Sequence, residues 1–393
     1  MPASIKVKLG NCSLLKWARE SAGYTVPEVA RSLQKSEDEI VAWEQGSDRP
    51  RYKQLERLAN KYKRPVAAFF LPKVPREPAR PADFRTMPGR TQAQYAPKSL
   101  TAFRAARNWL ANARDLLDLL EVDIKFSLPA FTLQRAAEEV ASKIRALLGV
   151  SLDEQMAWPE DPYRVSDSWR SVLFDNGVIA MVFPMPLGDV RAFSMLGNGL
   201  AAIGLNSADL GYGRIFSLFH EVGHLCLRQP GVSGSPVSQR SQAGSATRAV
   251  ESYCDRFAAS FLLPEGHSDV QQALSEVGED QSRELVESIA HRFKVSKYVV
   301  LRRARDLGHI DEPSYWAVFE DWRERDSGAA RPSGGNHITN RLSSVGKRLT
   351  ALVFEALDAK QITLYDTSKL LGLDPRHFPK TRARALSSIY DVG

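Results

Sequence analysis

Two histidines four residues apart, with a glutamate beside the first, stand in FHEVGHL at residues 219–225. On a helix, positions i and i+4 share a face, so His220 and His224 project side by side. That is half of a tetrahedral zinc site, with Glu221 placed to take a proton from an activated water. The chain holds only seven histidines in 393 residues, so the pairing is informative. A catalytic zinc needs a third protein ligand and an open fourth position. Glu251, in VESYCDRFAASFLLP, is the candidate. Asp255 lies four residues further along, where it could orient a ligand histidine through that histidine's other ring nitrogen. Cys226 and Cys254 are off the histidine face and read as small buried hydrophobes. For stabilising an oxyanion, Tyr212, Tyr253 and His267 remain open alternatives.

These residues need two helices to carry them, and the pattern predicts both, over Arg214–Leu227 and over Val250–Leu263, the second ended by Pro264. Apolar runs at Gly177–Phe183 and Leu200–Leu205 read as strands, and RAFSMLGNGLAAIGLNS reads as a hairpin turning at Gly197–Gly199. The strand Leu200–Leu205 is expected to offer an edge on which an extended substrate could pair. Helices are expected at 99–121 and 132–148, two more within 281–307, and a helical region at the C-terminal end. The Ser/Gly-rich stretch from Ser233 to Ser245 reads as a loop, and SGGN at 333–336 as a break.

Hydrophobic residues make up 43% and charged residues 25% of the chain, which excludes a disordered protein. No apolar run is long enough for a membrane span, and the first residues lack a signal-peptide core. Three scattered cysteines are no disulfide framework, so a reducing, cytoplasmic location is expected. The net charge of +7 is unevenly placed. Residues 1–70 and 330–393 are each +5, and the remainder is −3. The two ends could therefore face an acidic partner, nucleic acid included.

From Ser13 to Phe70 short helices alternate with tight stops. Thr25 and Ser36 are N-caps, Pro27 suits a first turn, and Gly23 and Gly46 terminate helices. The stretch TVPEVARSLQKSEDEIVAWEQGSDRP resembles the XRE-like helix-turn-helix family of phage repressors, and the resemblance implies a buried ion pair between Arg19 and Glu44. DNA reading would fall to the start of the third helix. Glu37, Asp38 and Glu39 occupy that start, and carboxylates repel phosphates and can only accept hydrogen bonds from bases. Lys35, Arg49, Arg51 and Lys53 could hold phosphates or a protein partner. The expectation is weak, non-specific DNA binding, with docking to a protein or a second copy of the chain as the main role. The following run to Arg90, with prolines at 72, 75, 78, 81 and 88, reads as an extended linker.

FSLFHEVGHLCL followed by VESYCDRFAASFLLP resembles the ImmA/IrrE family of zinc metallopeptidases. The resemblance extends upstream to Ile203–Asn206 and downstream through ELVESIAHRFKVSKYVVLRRARDLGHI, covering roughly residues 165–310. It implies zinc as cofactor, His220, His224 and Glu251 as its ligands, and Glu221 as the catalytic glutamate. It also implies site-specific cleavage of a regulatory protein, a repressor or antitoxin-like substrate, in phage defence, mobile-element or stress responses. Cys254 and Asp255 depart mildly from the family pattern, and Asp255 suggests the ExxxD spacing of thermolysin-like enzymes.

The expected fold is α+β and mostly helical, in five parts. A five-helix repressor-like domain (1–72) is followed by a proline-rich linker (73–98) and a helical connecting region (99–164). A zincin-like peptidase domain with a small antiparallel sheet (165–310) precedes a helical C-terminal region (311–393). The alternative function is a transcriptional regulator whose peptidase-like domain senses without cutting, but such a sensor has no need of Glu221.

Overall fold

The computed structural model describes residues 6–77, 82–83, 95–209, 211–233, 245–327 and 337–386. Most of the loop expected after Ser233, the break at 333–336, and Pro78, Pro81 and Pro88 lie outside these residues. The chain divides into two compact units, residues 1–80 with 92–104, and residues 81–91 with 105–393.

The first unit is built from α1 (Ser13–Ser21), α2 (Val26–Leu33), α3 (Glu37–Gln45) and α4 (Tyr52–Tyr62), closed by a 3₁₀ turn at Val66–Phe70. Reciprocal capping boxes start α2 (Thr25 with Glu28) and α3 (Ser36 with Glu39), each satisfying two orphan backbone donors. Leu15, Val29, Leu33, Ile40, Trp43, Leu55, Leu58 and Phe69 form the core. Arg19 is buried within it and makes a two-pronged pair with Glu44, at 2.7 and 2.9 Å, while its third nitrogen donates to the Tyr24 carbonyl. Removing either partner would strand a buried charge, so this pair specifies how α1 sits on α3.

In the second unit a five-stranded sheet carries the site. Its strands are β1 (Ala82–Asp83), β2 (Val178–Phe183), β3 (Ala192–Gly197), β4 (Leu200–Asn206) and β5 (Gly231–Ser233), in the order β1-β5-β3-β4-β2. The β3–β4 hairpin turns where expected, with Asn198 and Gly199 both at positive φ. The sheet is mixed rather than purely antiparallel, because β2 pairs parallel to β4 and β1 parallel to β5. The unbroken apolar runs of β2 and β4 signalled this, since strands buried on both faces do not alternate. β4 consequently lies between β3 and β2, so Leu200–Leu205 is interior and offers no edge to a substrate. On the far side of β2 the Ser344 hydroxyl, from the helix His337–Val345, donates to the Val182 carbonyl.

After α5 (Pro97–Leu119), α6 (Ala137–Leu148) and α7 (Leu152–Ala157) in the chain, α8 (Pro162–Asp175) and α9 (Gly211–Cys226) pack against the sheet, and α10 (Ser245–Leu262) packs on α9 and α6. Trp169, Phe219 and Phe261, one from each helix, are fully buried together. Trp169 meets Phe219 edge-on at 4.8 Å, and Phe219 stacks on Phe261 at 3.9 Å. Each such pair adds about 0.5–1.5 kcal/mol beyond its buried area. The aromatic cluster pins the inward side of α9, and the histidines take the other.

Gly223 lets α9 and α10 approach. A Cβ built there would lie 3.2 Å from Cys254 Sγ and 3.3 Å from Cys254 Cα, so a methyl makes its neighbours, one of them backbone, give by a few tenths of an ångström. Gly223→Ala is therefore expected to destabilise the protein by about 1–3 kcal/mol, the usual cost of overpacking. Urea unfolding of the full chain checks this, and a midpoint equal to wild type would show that the helices have room to spare.

Candidate metal centre

α9 presents His220 and His224 one turn apart, and α10 brings Glu251 to meet them. All three are buried, at 5%, 0% and 2% exposure. Glu251 Oε2 lies 3.4 Å from His220 Nε2, and Glu251 Oε1 lies 3.1 Å from His224 Nε2. The two ring nitrogens are 3.2 Å apart. Each residue thus offers a ligand atom within 4.8 Å of the others, a grouping that could hold a metal ion. Two imidazoles and one carboxylate suit a borderline divalent cation such as zinc better than calcium or magnesium, which prefer all-oxygen shells.

Behind His220 stands Asp255, with its Oδ1 2.8 Å from the ring Nδ1. A carboxylate can only accept, so Nδ1 carries a hydrogen and Nε2 faces the shared point, where a bound cation would take the place of a second proton. Asp255 in turn accepts from Arg302 Nη1 at 2.8 Å, and Arg302 belongs to the helix Lys297–Asp306. Burial alone would raise the Asp255 pKa, yet the Arg302 charge and the His220 hydrogen bond hold it well below the ordinary carboxylate range. Burial disfavours a charged His220, but its bonds to Asp255 and Glu251 outweigh that and push it up to about 10. Desolvation also opposes ionised Glu251, and the two histidines bring it below its usual value. The centre attracts positive charge.

Glu221 is fully buried, and among the described residues neither carboxyl oxygen has a hydrogen-bond partner. An orphaned buried polar group costs about 1–3 kcal/mol, more if charged. A cation with its water is the partner such a carboxyl needs, so the donor set and the orphaned glutamate fit the same group.

The other sequence candidates are placed elsewhere. Burial pushes the Cys226 thiol up to about 12 and the Cys254 thiol well above its ordinary value, so both are buried neutral thiols. The Tyr212 hydroxyl donates to the Glu160 carbonyl, and His267 caps its own helix beside Asp153. Tyr253 is in the hydrophobic core, its hydroxyl without a partner among the described residues. Arg302 was invisible to motif reading, because nothing local to it marks a partner 47 positions away. Neither did spacing reveal Arg191, which grips Asp209 with two bonds of 3.1 Å, or Ser233, whose hydroxyl lies 3.4 Å from His224 Nε2. Asn206 shapes the entry to α9 by donating to the Val190 carbonyl and accepting from the Ala208 amide.

In the helix-turn-helix unit, Glu37 and Asp38 are exposed on the first turn of α3, while Glu39 serves the capping box. Lys35 pairs with Glu39 at 2.8 Å. Arg49, Arg51 and Lys53 are exposed around the start of α4.

Two family comparisons agree with this geometry. Residues 13–69 match the helix-turn-helix domain family, and residues 177–305 match the IrrE N-terminal-like domain, a metallopeptidase-like family. No curated protein sequence and no solved structure matches the chain significantly. The chain thus carries a segment similar to helix-turn-helix domains followed by one similar to IrrE N-terminal-like domains, an order that matches the ImmA/IrrE architecture.

Proposed function

We propose that the chain is a cytoplasmic zinc endopeptidase that cleaves a regulatory protein, such as a repressor or antitoxin, at a defined site in phage defence, a mobile element or a stress response. One observation carries the reading. His220, His224 and Glu251 converge in a buried group, and Glu221, on the helix of the two histidines, is buried without a hydrogen-bond partner among the described residues. His220, His224 and Glu251 are the residues that would hold the ion. When bound, zinc supplies Lewis-acid chemistry toward water and a peptide carbonyl.

The rest follows from the side chains. Glu221 takes the proton of the attacking water and returns it to the leaving amine. Asp255 holds the His220 ring in the tautomer whose Nε2 is free to ligate, and Arg302 holds Asp255. Buried surroundings exclude competing water from the glutamate. A domain that only sensed a signal would gain nothing from a buried, unpartnered Glu221.

For the helix-turn-helix unit the reading is protein docking, to the substrate or to a second copy, with weak DNA contact. Exposed carboxylates at the start of α3 would face phosphates and acceptor-rich base edges. Phosphate contacts from Arg49, Arg51 and Lys53 alone bind any sequence and weaken steeply with salt.

Glu221→Gln is expected to retain about one zinc per chain and to lose cleavage of regulatory proteins encoded beside the gene. His220→Ala should lose most of the metal. Asp255→Ala should weaken zinc affinity roughly 10–100-fold. Chelator-treated wild type is the control, and wild-type cleavage by Glu221→Gln would overturn the mechanism. For the first unit, gel-shift titration at physiological salt should show only weak, sequence-independent binding. Nanomolar, sequence-dependent binding that Arg49→Ala or Lys53→Ala weakens would contradict the docking role.

A further inference from the structure

Beside the metal-binding group the second unit has a cavity of about 330 Å³, with Glu251 and Asp255 in its wall. Its lining is largely apolar: Phe216, Tyr298, Tyr315, Trp316 and Phe319 contribute rings. Phe216 lies one turn before His220 on α9, with the two rings 6.3 Å apart. The cavity therefore adjoins the metal-binding group through Glu251 and Asp255.

The polar part of the wall is cationic. Arg191, Arg248, Arg302, Arg305 and Arg323 line it against only Glu251 and Asp255. Three of the five have carboxylate partners: Arg191 binds Asp209, Arg302 binds Asp255, and Arg305 binds Asp306 at 2.6 Å while lying over the Tyr315 ring. Arg248 and Arg323 are exposed and have no carboxylate partner among the described residues. Arg248 sits on α10 three residues before Glu251, and Arg323 on the helix Glu312–Ser327. A cation held by Glu251 would cancel that carboxylate and leave the wall more positive still.

We propose that this cavity is a specificity subsite that takes an acidic side chain of the substrate close to the scissile bond, its methylenes against the aromatic rings and its carboxylate on Arg248 and Arg323. The shape and the charge argue together. A purely apolar residue would leave the guanidinium groups unused, and a basic one would be repelled. Guanidinium forks match carboxylates with two parallel bonds. Access is open through a wider cleft of about 1290 Å³, which shares Arg191, Gly213, Ser296, Tyr298 and Arg323 with the cavity. In that cleft Asp209 is paired by Arg191, and Glu287 and Asp326 by Arg283 and Lys297, while the exposed Glu320 and Glu324 also line its wall beside Arg323.

This inference rests on the peptidase reading, and the test separates the two. The zinc-loaded full chain is incubated with a random peptide library, and the residues around each cut are read by mass spectrometry. The expected result is enrichment of Asp or Glu at one position near the cut. That preference should fall at least roughly tenfold in Arg248→Gln/Arg323→Gln, as loss of charge-assisted hydrogen bonds predicts, with zinc content unchanged. Cleavage without acidic preference, or a preference the double variant keeps, overturns the subsite. If no peptide is cut at all, the peptidase reading is decided by the Glu221→Gln cleavage comparison on regulatory proteins, and binding decides the cavity. N-benzoyl-glutamate is titrated into zinc-loaded Glu221→Gln chain against N-benzoyl-glutamine. Roughly tenfold tighter binding of the glutamate that Arg248→Gln/Arg323→Gln abolishes would show a carboxylate site for a free ligand. Equal binding of the two compounds overturns it.

Discussion

The centre depends on how closely two helices can approach. Three ligand atoms from α9 and α10 lie within 4.8 Å of one another, and a glycine faces Cys254 where the helices touch. The Trp169, Phe219 and Phe261 cluster then fixes the rotation of α9, since Phe219 cannot leave the core without dragging its neighbour His220. Packing in the apolar interior thus sets the geometry of a polar site, as a close-packed core transmits position with little slack.

Electrostatics completes what packing begins. Buried carboxylates and imidazoles are expensive unless each charge meets its opposite. Here the accounts run in a chain, from Asp306 through Arg302 and Asp255 to His220 and Glu251. Glu221 stands outside that chain, fully buried and without a hydrogen-bond partner among the described residues. A residue kept in so costly a state is more economically understood as a working group than as a structural one.

Much of this was legible in the chain itself. His220, Glu221 and His224 follow from helix periodicity, and Glu251 with Asp255 from a second helix whose other side is apolar. The N-caps Thr25 and Ser36 were legible because caps are local, whereas their reciprocal partners Glu28 and Glu39 emerged only in the structure. What escaped was non-local. The parallel pairing of β2 with β4 joins segments with the strand β3 between them in the chain, so Leu200–Leu205 was read as an edge when it is interior. α8 was missed even though Asp161 and Pro162 mark its start with an N-cap and a first-turn proline. Arg302 and Arg191 carry no local signature at all, because an arginine's partner is chosen by tertiary packing.

The central claim is that one ion is held by two imidazoles and a carboxylate. X-ray absorption at the zinc edge, on the zinc-loaded full chain, tests it most directly. The account predicts a first shell of nitrogen and oxygen only, near about 2.0–2.1 Å, with an imidazole signature for two histidines that halves in His224→Ala. A sulfur shell near about 2.3 Å, which would bring in Cys226 or Cys254, or a purified chain that retains no zinc, would contradict it.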